Sequence, residues 1–348
     1  MNHKILFCSK SFQDNLINYN YPNKNILIAL KEIAGLIYCE APLDRANFYP
    51  HPLLIHAPKI PKIKNVSLDE CMYERAIEIS NMIGRKKILW SGGLDSTATL
   101  IALMKYDDIS NYQIVCRKSS IEEYPEFYKK YVRKMNYTIE TNSVNNFYNK
   151  VFDDSIVVTG CLGDHLFFDY LMIKNMEISL DKSWKSLIDI LVNEKELCVD
   201  ILEKHVLNSP ISINTVGDMY WWIKFALDWS GDIYKPGLVL DNPKNISNHI
   251  PFFDTDNFQS WALYNYHDIK VSGWEEMHKH KRHLKQYIYE FTKDADYFIN
   301  KQKENSYKLG FNGERMKFKR HCLYDDYSSP NTLVDFLKEH SYLGTPYE

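Results

Sequence analysis

The segment Ser91-Gly92-Gly93-Leu94-Asp95-Ser96-Thr97 constrains this chain more than any other stretch. It follows a short apolar run, Lys87 to Trp90, and leads into a helical pattern, Ser96 to Lys105. Strand, glycine turn and helix together aim bare backbone N–H groups and a helix N-terminus, worth about half a positive charge, at one point. The two glycines let the backbone turn tightly and approach an anion closely. Ser91, Ser96 and Thr97 add hydroxyl donors for phosphate oxygens. Asp95 is an anion where phosphate would bind, which makes chemical sense if it holds Mg²⁺. The pattern is not a Walker loop, because G-x-x-x-x-G-K-[ST] is absent.

The flanking sequence alternates. Ser67-Leu68-Asp69-Glu70 is a capping box that opens a helix running to Met82 and ending at Gly84. After the glycine loop come a strand at Gln113 to Cys116, a charged helix at Ile121 to Met135, a third strand at Thr138 to Thr141 and a fourth at Ser155 to Thr159. Strands alternating with helices predict an α/β fold with a doubly wound parallel sheet. Such sheets bind ligands beyond the carboxyl ends of their strands, where the strand order reverses. From Leu166 onward the pattern is mainly helical: Trp184 to Val192, Asp218 to Trp229, Phe258 to Tyr264 and Trp274 to Phe291, with a loop at Lys235 to Asn248. Before Ser67 lie strand-like pieces (Lys4 to Cys8, Leu53 to His56), an apolar segment (Ile26 to Cys39) and a Pro-bearing linker, Ala57 to Lys64. The expected division is a small region, 1–65, and a domain, 66–348, made of an α/β core (66–170) and a helical substrate part (171–348).

With this context, Ser91 to Ser96 resembles the S-G-G-x-D-S pyrophosphate loop of the ATP pyrophosphatase (PP-loop) superfamily. That resemblance implies the adenine nucleotide alpha hydrolase-like (HUP) type of sheet. It also implies cleavage of ATP between its α and β phosphates with adenylation of a substrate. A second constellation, Thr159-Gly160-Cys161-Leu162-Gly163-Asp164-His165-Leu166-Phe167, again follows an apolar strand. It is similar to the asparagine synthetase motif G-E-G-S-D-E-L-F-G-G-Y, with Gly160, Asp164, Leu166, Phe167 and Tyr170 in register. The resemblance implies that Asp164 shares the Mg²⁺–pyrophosphate with Asp95. Ile250-Pro251-Phe252-Phe253-Asp254 resembles V-P-F-L-D of the same enzymes. Lys281-Arg282-His283-Leu284-Lys285 and Lys301-Gln302-Lys303-Glu304-Asn305 look like the family's K-x-x-L-R helix and R-x-K-E-x-F loop. By that register Lys303 is the catalytic lysine, set against the leaving pyrophosphate. Lys281 and Lys285 are either further anion contacts or a solvated basic helix face.

Three departures matter. Glutamine-dependent asparagine synthetases carry an N-terminal glutaminase domain whose nucleophilic cysteine directly follows the initiator Met. Asn2 stands in that place here, and only 66 residues precede Ser67. The expectation is therefore a synthetase-like chain without its own glutaminase, with a separate glutaminase chain as a conceivable partner. At the position of the family's Glu, thought to handle the ammonia proton, stands Cys161. With a lowered pKa it would serve as base or acyl acceptor; otherwise it packs. His165 is the nearby titratable substitute, or else a first-turn surface histidine. Finally, the stretch between Thr97 and Thr159 is shorter than in asparagine synthetases, which makes asparagine a doubtful product.

The expectation is an ATP- and Mg²⁺-dependent, AMP-forming ligase. It would adenylate a small-molecule or peptide carboxylate and join it to an amine or ammonia. Nucleotide contacts are expected from Ser91, Gly92, Gly93, Asp95, Ser96, Thr97 and Lys281, metal contacts from Asp95 and Asp164, and catalytic roles from Lys303, Cys161 and His165. A formal charge of -3 offers no global positive field for nucleic acid. No run approaches the ~20 apolar residues of a membrane span. The seven scattered cysteines contain no C-x-x-C pair, so reduced thiols in a cytoplasmic protein are expected. The alternatives are another PP-loop adenylation, on tRNA or a nucleobase, and a degenerate nucleotide-binding subunit. The absence of clustered cysteines speaks against the first, and the retained Asp95, Asp164 and Lys303 against the second.

Overall fold

A computed structural model describes residues 24–37, 45, 59–140, 150–167, 177–229 and 248–301. At its centre is β1 (Lys86–Leu89), flanked by β2 (Tyr112–Cys116) and β4 (Ile156–Thr159). Outside these lie β3 (Tyr137–Ile139) against β2, and β5 (His249–Pro251) against β4. All four pairings are parallel, giving the order β3-β2-β1-β4-β5. The chain winds outward from β1 in one direction, returns, and winds outward from β4 in the other. The order therefore reverses between β1 and β4, and the loops leaving these two strands flank a crevice. Consecutive Val157 and Val158 are both fully buried, so β4 is covered on both faces, as a parallel sheet with crossover helices requires.

Local chemistry sets the helices. In α1 (Lys24–Gly35), Ala29, Leu30 and Ile33 turn into the core. α2 (Leu68–Ser80) opens with the expected capping box: Glu70 N donates to Ser67 Oγ at 3.2 Å, and Ser67 N to Glu70 Oε2 at 2.8 Å. The turn after it passes through Gly84, at φ 132°. α3 (Leu94–Tyr106) is buried from Ser96 to Leu103.

Two expected helices are broken. In place of one helix over 121–135 stand α4 (Lys118–Glu123), α5 (Pro125–Lys130) and a 3-10 turn, Val132–Lys134. Pro125 has no N–H to continue a helix and pushes Tyr124 out of helical geometry, to φ −142° and ψ 73°. In place of one helix over 274–291 stand a 3-10 segment, Trp274–Lys279, and α11 (Arg282–Thr292), separated at Lys281 by a left-handed backbone, φ 53°.

The other helices are α6 (Gly163–Leu166), α7 (Lys195–Leu207), α8 (Val216–Leu227), α9 (Asp256–Tyr264), α10 (Tyr266–Ile269) and α12 (Ala295–Asn300). The span expected to be helical from Trp184 is a 3-10 segment, Trp184–Ile190. Every residue of α8 is buried, so its Trp221, Trp222 and Phe225 are core. One hydrophobic cluster runs through α1, the sheet and the helical part. Among the described residues no helix is long and apolar enough to cross a membrane. The expected strands at 4–8 and 53–56, and the loop at 235–248 apart from Asn248, lie outside the described residues.

Candidate nucleotide site

The loop between β1 and α3 holds its own shape. Gly92 sits at φ 83°, a conformation costly for any other residue. A Cβ there would also lie 2.3 Å from the Ser120 carbonyl oxygen. Ser96 Oγ accepts from Ser91 N at 3.0 Å and lies 2.9 Å from Ser91 Oγ, and Gly93 N donates to Ser91 Oγ at 3.2 Å. Trp90 Nε1 donates to Thr97 Oγ1 at 3.1 Å. From α12, Tyr297 donates its hydroxyl to the Gly92 carbonyl at 3.2 Å. Burial raises the Tyr297 pKa far above its ordinary value and keeps the phenol a donor. Its ring stacks on Tyr124 at 3.7 Å, and Tyr124 donates to Asp294 at 3.2 Å.

The loop between β4 and α6 is shaped by the first. A Cβ on Gly160 would stand 2.7 Å from Ser96 N, and one on Gly163 would stand 2.3 Å from Asp95 Oδ1. Only glycine permits this approach. Between them Leu162 adopts φ 73°, a left-handed conformation costing a non-glycine residue of order 1–3 kcal/mol. Leu162 is buried, and Trp221 Nε1 donates to Leu166 O at 3.1 Å, so packing holds the turn in place.

The two loops meet at one ammonium. Lys281 Nζ lies 2.5 Å from Asp95 Oδ2 and also contacts Asp164 Oδ1. Lys281 is 3% exposed, so this is not a solvated basic face. The cation therefore joins carboxylates 186 and 117 positions before it in the chain.

Two more cations lie close by. Lys301 pairs with Glu123 at 2.9 Å, both side chains almost fully buried. The Glu123 carboxylate borders the loop: a Cβ on Gly93 would be 3.3 Å from Glu123 Oε1. Lys285 is also buried; desolvation, and then the neighbouring Lys301 charge, lower its pKa. Sequence reasoning missed the Glu123–Lys301 pair. Lys301 belongs to the quoted Lys-Gln-Lys-Glu stretch, but nothing in the Glu122-Glu123 run marks its second member as buried.

Of the expected catalytic residues, His165 and Cys161 are described. His165 is fully buried rather than on the surface of the first turn. Its Nε2 lies 3.1 Å from the Asp228 carbonyl oxygen and 3.3 Å from that residue's carboxylate, at the end of α8, where Lys224 also pairs with Asp228. It therefore sits with Lys224 and Asp228, while the Asp95–Asp164 pair is held by Lys281. Cys161 is half-buried and in no disulfide, in the turn between β4 and α6, its N–H 3.4 Å from Thr159 Oγ1. Lys303 and Tyr170 lie outside the described residues. The Pro251 to Asp254 stretch leaves β5 at the same sheet edge: Phe252 N donates to Thr159 O at 2.8 Å, and Arg75 to Pro251 O at 2.8 Å.

A separate cleft lies elsewhere. It holds about 500 Å³ and is lined by Arg75, Glu78, Asp254, Asp256 and Gln259, among others, but by no residue of either glycine loop. The glycine loops are the better candidate site, because their converging amides, carboxylates and lysines match a specific ligand chemistry, whereas the cleft only offers room.

The donor set also indicates which metal would suit the site. Among the described residues no three His, Cys, Asp or Glu side chains converge on one point. Asp95 and Asp164 offer two hard oxygen ligands within reach of a single cation. That fits Mg²⁺, which is commonly held by one or two carboxylates plus substrate phosphates, and not a closed zinc site. No protein-family model matches the chain, and no curated protein matches it.

Proposed function

We propose that the chain is an ATP-dependent, AMP-forming ligase with a nucleotide-binding sheet of the HUP type. One observation carries this reading: Asp95 and Asp164, from two glycine loops at the reversal in strand order, meet on Lys281. A polyphosphate at this edge would find the amides of the first loop, the α3 N-terminus and three buried lysines.

In this reading the loop binds and orients the pyrophosphate half of ATP, so that a substrate carboxylate attacks the α phosphorus in line with the departing pyrophosphate. The P–O bond to the β phosphate breaks as the acyl–phosphate bond forms. An amine or ammonia then attacks the acyl carbon, AMP leaves, and one proton is lost from the nitrogen. When bound, Mg²⁺ held by Asp95 and Asp164 neutralises charge that accumulates on the phosphates. Lys285, and Lys301 with its partner Glu123, lie beside the loop, and Lys303 takes the role that the resemblance gives it. Cys161 is the group to test for the amine proton, since His165 is engaged with Asp228.

The test is product analysis with ATP, Mg²⁺ and panels of carboxylates and amines. AMP and pyrophosphate are expected, with Asp95→Asn lowering pyrophosphate release by ~10²-fold or more. ADP formation, or no ATP turnover with any pair, refutes the reading.

A further inference from the structure

We infer that Lys281 is an internal counter-ion that makes metal binding conditional on nucleotide, so that the site selects the metal–nucleotide complex over the free cation. This rests on the ligase reading above and deepens it. The ammonium occupies the point where one cation can touch both Asp95 and Asp164, which is the point a metal shared by these carboxylates would need. Metal and ammonium cannot both hold it, because like charges at contact distance repel strongly in a buried setting. Nor can Lys281 simply withdraw. It is 3% exposed, and stripping a buried ammonium of its partners is strongly unfavourable. A free divalent cation brings no replacement partner. A nucleotide does: its phosphates accept the ammonium while the metal takes the carboxylates.

The backbone supports a selected arrangement rather than a chance contact. Lys281 is left-handed at φ 53°, at the N-terminus of α11, where the helix dipole disfavours a cation. An unfavourable backbone and an unfavourable dipole are both overcome by the two carboxylates. Substitution of the ammonium should therefore uncouple metal from nucleotide. The coupling between two such ligands falls in the usual range of roughly 5–150-fold.

The experiment measures Mn²⁺ binding without nucleotide, by loss of the free-ion electron paramagnetic resonance signal. Wild-type chain should take up no Mn²⁺ at this site at micromolar concentrations. Lys281→Met should gain one Mn²⁺ per chain, at least ~10-fold tighter than wild type, and adding Asp164→Asn should remove the gain. Equal Mn²⁺ affinity in wild type and Lys281→Met overturns the inference. If Lys281→Met does not fold, wild type still decides: tight Mn²⁺ uptake that Asp164→Asn abolishes overturns the inference, and no uptake supports it. A fluorescent ATP analogue with Mg²⁺, titrated into wild type, tests the ligase reading separately. Failure of that titration alone would refute nucleotide binding and leave the Mn²⁺ result to stand for Lys281 as a simple counter-ion.

Discussion

Two lysines bracket α11, and both are left-handed: Lys281 at φ 53° and Lys293 at φ 56°. At the carboxyl end this is ordinary. Lys293 is exposed, its N–H donates to Tyr289 O at 2.8 Å, and a cation there suits the negative end of the helix dipole. At the amino end nothing local favours Lys281. The dipole opposes its charge, burial opposes its ammonium, and a left-handed backbone is normally given to glycine. The same residue type in the same backbone conformation is thus explained by helix geometry at one end and by Asp95 and Asp164 at the other. A strained position that local geometry does not account for points to the site that does.

The largest effect should come from Lys281→Gly, which keeps the left-handed backbone and removes the ammonium. Pyrophosphate release should fall by ~10²-fold or more; undiminished release would make the two lysines equivalent and break the comparison. A left-handed position that is already glycine gives the converse test. Gly92→Ala should cost about 2–4 kcal/mol in a denaturant titration, since φ 83° and the Ser120 carbonyl both oppose a Cβ. Gly93→Ala, at φ −73° with contacts no closer than 3.3 Å, should cost less than about 1 kcal/mol. Similar losses at both would mean the loop is not held by backbone geometry.

A smaller effect belongs to Asp218, the acid at the N-terminus of α8, where the dipole favours it. Burial pushes its carboxyl pKa up, but Lys270, Tyr266 and the amides of Asn214 and Thr215 outweigh burial and hold it below the ordinary value. The folded state thus binds its proton less readily than the unfolded chain. The stability it contributes is present above the ordinary carboxylate range and is lost as pH falls through the folded-state pKa. Asp218→Asn should cost about 1–2 kcal/mol at neutral pH. Its denaturation midpoint should approach wild type as the pH is lowered through the acid range, and a constant gap would show that its charge is irrelevant. The smallest effect, a gain of about 0.5–1 kcal/mol, is expected for Lys293→Gly in the same assay, with pyrophosphate release unchanged.

How much of this was legible in the sequence depended on whether the determining contact was local. The capping box at Ser67 and Glu70 closes within one turn, and the Ser91 to Thr97 loop within seven residues, so both could be read directly. The breaks at Pro125 and Lys281 differ in kind. Pro125 carries a local signal that apolar spacing on either side masked. The left-handed turn at Lys281 depends on two carboxylates far away in the chain, and no window of sequence contains it. β5 is three residues long and ends in proline, too short to show alternation, so His249 to Pro251 could be recognised only as part of a motif. α7 carries a helical stripe, Leu197, Cys198, Ile201 and Leu202, but charged neighbours on both sides mask it in the sequence. Of the site, the residue types were legible; that Lys281 gathers Asp95 and Asp164, and that His165 turns to Asp228, was not.

The contact of Gly160 and Gly163 with the backbone and side chain of Asp95 and Ser96 has an evolutionary consequence. Neither loop can drift by itself. A larger residue in the second would need a compensating shift in the first, which the Ser91–Ser96 hydroxyl network and Tyr297 resist. The two segments should behave as one inherited unit, exchanged or lost together with the Ser120 to Tyr124 stretch that packs on the first.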